Sequence, residues 1–199
     1  MIDPRRSSLT RIVMLATAVS LWLALAPAGP AQSSSPSLEM NFRPESDQFV
    51  EATRAYEAIW KEQGSRVVAT MEEVSGLKFS DKRIEVIVFE GVSNSGFRER
   101  PMRLRASYVP DRKKSTLVHE LGHRLISPVP GRREIGEHQV LFLILYDAWV
   151  KLYGKEFADA SVAFEKELGP RYVEAWEYAL GMTAAQRKAK FAELVAKIE

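Results

Sequence analysis

Cysteine is absent from this 199-residue chain, and histidine is scarce, with three in all. Without cysteine there are no disulfides and no thiolate metal sites. Any bound metal must therefore be held by imidazole nitrogen and carboxylate oxygen. An excess of one charge is also lacking. The formal net charge is +2, but Asp3 and three arginines (Arg5, Arg6, Arg11) fall in the first 31 residues. Taking three from the 28 basic residues and one from the 26 acidic ones leaves 25 of each. The remainder is neutral, so there is no electrostatic footprint for nucleic acid. No apolar run is long enough to cross a bilayer, which takes ~20 residues. The longest candidate is the stretch 12–26, and no internal repeat is present.

That apolar stretch follows the three arginines and precedes small residues, with Ala26-Pro27-Ala28 and Gly29-Pro30-Ala31 as candidate cleavage signals. Residues 1–31 therefore read as a secretory signal peptide, which directs the chain to the periplasm, the cell envelope or the medium. The competing reading is an uncleaved N-terminal anchor. Residues 32–44 (QSSSPSLEMNFRP) are polar and rich in Ser and Pro, the composition of a flexible linker. Residues 45–199 are expected to form one domain, with the 46% hydrophobic and 27% charged content usual for soluble globular chains.

Periodicity sets the fold class. Phe49, Tyr56, Ile59, Trp60, Val67, Met71 and Val74 recur at three- and four-residue steps, which predicts a long helix ending at Gly76. Gly64 is expected to bend or split it. Residues 83–89 (RIEVIVF) and 102–109 (MRLRASYV) alternate and read as strands. A segment apolar on nearly every side runs from Val140 to Tyr153, the pattern of a buried helix. Further helices are expected near 155–168, 170–180 and 183–198, separated by Gly154, Gly169-Pro170 and Gly181. Thr183 and Gln186 have the spacing of a capping box. The expected class is α+β, mostly helical. A small mixed sheet packs on the long helix and on a helix near residue 120, and a C-terminal helical bundle follows.

The helix near residue 120 carries the chemistry. His119, Glu120 and His123 stand in the stretch HELGH. Residues four apart lie on one face of a helix, so both imidazoles reach one metal ion with a carboxylate beside them. Leu117, Val118, Leu121, Leu125 and Ile126 give the segment an apolar backing. Ser115 or Thr116 is the expected N-cap, and Pro128 with Pro130 ends the helix. The strand before this helix is a candidate sheet edge for an extended substrate.

HELGH resembles the zincin metallopeptidases, whose shared core is a mixed sheet on two helices. The resemblance implies a Zn2+ cofactor, a third protein ligand, and Glu120 as general base. A metzincin-type ligand would fall at position 129, which is valine. A gluzincin-like arrangement takes the third ligand from the next helix, whose start is expected near Glu134. The candidates there are Glu134, Glu137, His138 and Asp147. His138 is preferred, as the remaining histidine and a good zinc ligand when neutral. Glu137 is the alternative, as the usual gluzincin ligand type. Glu134, one turn before His138, is expected to orient its ring. Asp147, alone in an apolar run, is expected to pair with an Arg or Tyr, with a bond to a motif histidine as the lesser option.

The expected function is that of a secreted or envelope zinc metallopeptidase acting on peptide or protein substrates. The alternative is a non-catalytic zinc-binding or interaction protein of similar fold. An oxyanion stabiliser is also required, and Tyr108, Tyr146 and Tyr153 are the candidates. Arg98, Arg100, Arg103 and Arg105 lie near the substrate strand. They read as a solvated charged face rather than a selector of acidic substrates.

Overall fold

The structure, a computed structural model, describes residues 38–97 and 99–198. The signal-peptide reading of residues 1–31 lies outside them, as does Arg98. The chain begins with strand β1 (Glu39–Pro44), a single 3-10 turn, and helix α1 (Val50–Ser75). Strands β2 (Arg83–Phe89) and β3 (Met102–Arg105) follow. The remainder is helical: α2 (Pro110–Leu125), the short α3 (Gly131–Glu134), α4 (Glu137–Tyr153), α5 (Lys155–Lys166), α6 (Pro170–Leu180) and α7 (Ala184–Val195). This is the α+β, mostly helical class that the periodicity predicts.

Three local expectations are corrected. The linker assigned to 32–44 contains β1, because Leu38 and Met40 alternate with polar neighbours and bury their side chains beneath the sheet. The three strands pair in parallel rather than as a mixed sheet, in the order β1-β2-β3, with Met40 opposite Ile84 and Val86 opposite Met102, and the one antiparallel pairing among the described residues is the isolated bridge between Asn94 and Arg103. Parallel neighbours need a long crossover, and α1 supplies it between β1 and β2. The third correction is the start of α2. It begins at Pro110, capped by Val109, rather than at Ser115 or Thr116. Proline at the first helical position gives up no hydrogen bond and presets φ.

Helix α1 runs unbroken through Gly64. A Cβ there would meet the Trp60 ring at 2.8 Å, so the glycine admits the indole rather than bending the helix. The capping box at α7 forms as its spacing predicts, with Thr183 Oγ1 accepting from Gln186 N–H and Gln186 Oε1 accepting from Thr183 N–H.

Helix α4 is apolar all round because it is surrounded: α1, α2, α3, α5, α6 and α7 all pack against it. Phe142 stacks on Trp176 of α6 with ring centroids 3.8 Å apart, and Trp149 packs beside it. Each such side chain contributes roughly 1.5–3 kcal/mol by leaving water. Asp147, the one carboxylate in this run, forms two hydrogen bonds with the buried Arg187 guanidinium of α7, at 2.9 and 2.7 Å. The expected structural pairing therefore forms, and it ties α7 to α4 beside the buried Phe191 and Leu194. Among the described residues no helix is long and apolar enough to cross a membrane.

Candidate metal centre

Helices α2 and α4 cross at Gly122. A Cβ at Gly122 would fall 2.4 Å from Leu141 Cδ1, so the glycine leaves room for the Leu141 side chain where the two helices approach. That approach brings the rings of His119 and His123 on α2 to His138 in the first turn of α4. The ring centroids are 4.8, 5.4 and 5.0 Å apart, and all three ligand nitrogens lie within 4.8 Å of one another. The three histidines predicted from sequence thus form one cluster able to hold a metal ion.

The surrounding carboxylates fix which nitrogens face inward. His119 Nδ1 lies 2.7 Å from Glu165 Oε1, and the other carboxylate oxygen, Oε2, accepts from Trp176 Nε1 at 3.0 Å. A carboxylate only accepts, so His119 carries its proton on Nδ1 and turns Nε2 inward. His123 Nδ1 lies 3.2 Å from Glu137 Oε1, which orients that ring in the same sense. The two Nε2 atoms then face each other at 3.0 Å. Ligand nitrogens on a tetrahedral ion at ~2.05 Å stand ~3.3 Å apart, so this pair is near the spacing that such an ion sets, with the His138 nitrogen within 4.8 Å of both.

The three rings differ in their electrostatics. Burial works against charge on His119, but the Glu165 carboxylate outweighs it and lifts the ring to about 9. Burial pushes His138 down to about 3, aided by repulsion from the other two rings, and pushes His123 down despite Glu137. Across neutral pH the metal-free trio therefore carries one positive charge, on the ring that faces Glu165, and a metal at His119 Nε2 would have to displace the proton there.

Known protein families, curated proteins and solved structures offer no match to this chain.

Glu120 is only 6% exposed, yet it makes no hydrogen bond with any described residue. Burial pushes its carboxyl up to about 7. It opens with His119 onto a cavity of about 180 Å³ walled by Val92, Ser93, Tyr108, Phe164, Leu168 and Tyr172. A buried, unpartnered carboxylate facing a cavity beside convergent imidazoles can accept a proton from a molecule held there.

The other predicted residues sort clearly. Glu137 sits beside His123 as an orienting group rather than within the ligand cluster. Glu134 does not reach His138. It lies in α3, before the break at Gly136 (φ +107°), and faces Lys197 at 3.4 Å. Tyr146 donates to Asp159 at 2.8 Å, and Tyr153 packs on Phe157, so neither lines the cavity. Tyr108 does. Sequence reasoning missed Glu165, Trp176 and Tyr172, whose ring lies over His138 at 4.5 Å. One signal for Glu165 was present: with Ala158, Ser161 and Val162 it completes the buried stripe of α5, a core position where a carboxylate needs a partner.

Proposed function

We propose that the chain is a zinc-dependent hydrolase of zincin type that cleaves peptide bonds, exported to the cell envelope or beyond by its N-terminal segment. One observation carries this reading: three imidazoles converge beside a buried carboxylate that has no partner except the cavity it faces. His119, His123 and His138 would hold the ion, and Glu165 and Glu137 would orient two of those rings. Zinc suits three imidazole nitrogens and would displace the proton from His119 Nε2. Bound there, it would supply a Lewis acid for the scissile carbonyl and acidify water toward a pKa of ~7.

Glu120 takes the proton of the attacking water and returns it to the leaving amine. Its burial favours the task, since a base is most effective when it titrates near the working pH. Tyr172 and Tyr108 bring phenol groups to the same cavity and are the candidates to stabilise the developing oxyanion. A non-catalytic zinc module has no use for a carboxylate buried without a partner, which favours the hydrolase over that alternative.

Glu120→Gln tests the assignment. The variant is expected to keep about one zinc per chain and to lose peptide hydrolysis by at least ~100-fold. Wild-type activity should vanish with a chelator and return with zinc. Hydrolysis that persists in Glu120→Gln, or that survives chelation, overturns the proposal.

A further inference from the structure

The outer edge of β3 is closed by the chain itself. Arg103 exchanges both backbone hydrogen bonds with Asn94, at 2.8 and 2.9 Å. The next outward N–H, that of Arg105, donates to Ser93 Oγ at 3.0 Å, and the Arg105 carbonyl accepts from the Tyr56 hydroxyl at 2.9 Å. The loop that does this is anchored from behind. Arg124, buried in the last turn of α2, donates to the carbonyls of Ser95 (2.8 Å) and Arg100 (3.0 Å). No backbone group of Arg103 or Arg105 is left for an added strand, so an extended peptide cannot pair there as the sequence suggested.

The same loop supplies one wall of the cavity at Glu120, through Val92 and Ser93. The opposite wall comes from the end of α5 and the start of α6. Two of the most exposed apolar side chains stand on these walls, Val92 at 82% and Leu168 at 48%. Exposed apolar groups ringing a small cavity are the usual mark of a site for an apolar group. The volume of about 180 Å³ is below the ~300–1,000 Å³ of pockets that enclose drug-sized ligands. The lining arginine, Arg105, is neutralised by Glu90 at 2.5 Å, so the wall does not select for acid.

Resting on the hydrolase reading, we propose that the substrate is short and is recognised by one apolar side chain next to the scissile bond, inserted between Val92 and Leu168, rather than by strand pairing along β3. Recognition is then local: one side chain in the cavity, the reacting carbonyl at the histidines, and no backbone ladder.

The test is calorimetric binding of hydroxamates to the zinc-loaded full chain. Three probes are used: acetohydroxamate, its isobutyl analogue, and the isobutyl compound extended by two glycines. The isobutyl group is expected to improve affinity at least tenfold, since each buried methylene is worth roughly fourfold. The glycine extension is expected to add less than threefold. Leu168→Asp and Val92→Asp, both at exposed positions, should erase the isobutyl gain, read as the ratio of isobutyl to methyl affinity in each variant. Equal binding of methyl and isobutyl compounds overturns the proposal while the metal centre stands. A gain above tenfold from the glycines shows strand pairing and also overturns it. Failure of all three probes to bind protein that carries zinc removes the hydrolase reading, and this proposal with it.

Discussion

Glu165 offers the sharpest test of the metal centre, because it joins three helices through two hydrogen bonds. In Glu165→Gln the amide oxygen still accepts from Trp176, but the NH2 group now faces His119 Nδ1. A donor cannot face a donor, so Nδ1 must accept, and the ring, without the carboxylate that favours its charge, holds its single proton on Nε2, the nitrogen that points at His123 3.0 Å away. That is the nitrogen a metal requires. Zinc binding must then break the new hydrogen bond or leave it unmade, and loss of such an orienting group costs 10–100-fold in affinity, about 1.4–2.7 kcal/mol. Folding should survive, since the Trp176 bond remains and one charge-assisted hydrogen bond, worth about 1.5–3 kcal/mol, is lost. Glu165→Leu is the harsher control. It strands both the His119 and Trp176 donors in the core, at about 1–3 kcal/mol each. Competition with a chromophoric chelator gives the affinity, and thermal melting of the metal-free protein gives the stability. An unchanged zinc affinity in folded Glu165→Gln would show that His119 does not present Nε2 to a metal, and the whole site would need to be redrawn.

Four further outcomes follow from the packing and the site. Asp147→Ala should destabilise the protein by about 1–3 kcal/mol by leaving Arg187 with the Met182 carbonyl but no counter-charge, and adding Arg187→Leu should recover much of that loss in chemical denaturation. Gly122→Ala gains roughly 1 kcal/mol in helix propensity but drives a methyl into Leu141, which costs about 1–3 kcal/mol. The net effect should be destabilising, and zinc titration should show weaker binding, because α2 and α4 are forced apart. Tyr153→Phe should be neutral or stabilising, since that hydroxyl is buried without a partner, whereas Tyr56→Phe should cost about 1 kcal/mol by losing the bond to the Arg105 carbonyl. Burial pushes Tyr153 up to about 12, so the fold favours its neutral form; that stability is full below pH 10 and is lost as pH rises toward 12. Denaturation across that range should therefore be less alkali-sensitive in Tyr153→Phe, and an unchanged slope would refute the assignment.

Local periodicity made most of the helices legible, along with the existence of a metal motif. The two histidines of HELGH share a face because the helix repeats every 3.6 residues, and no distant residue is needed to place them. The apolar run from Val140 announced a buried helix for the same reason, and Thr183 with Gln186 announced a helix start. Strand β1 was missed because six residues ending in proline, next to a Ser-rich stretch, carry too short an alternation to stand out from a linker. The parallel sheet was missed with it, since β1 is the strand that α1 connects in parallel to β2.

The sequence preferred His138 over Glu137 and Glu134 by residue type alone, and the placement of its ring beside the other two is a matter of packing. It depends on where α4 begins, which the positive φ of Gly136 sets, and on how closely α4 approaches α2, which Gly122 and Leu141 set. Glu165 lies 46 residues beyond His119, and only the docking of α5 and α6 brings its carboxylate to the ring. The closed edge of β3 and the cavity at Glu120 have the same origin. The sequence by itself determined which residues could act together along one helix face, because that spacing is a property of the backbone. Tertiary packing alone decided which carboxylates serve which imidazoles and what space is left in front of them, because side-chain volumes, rather than chain spacing, set the distances between elements.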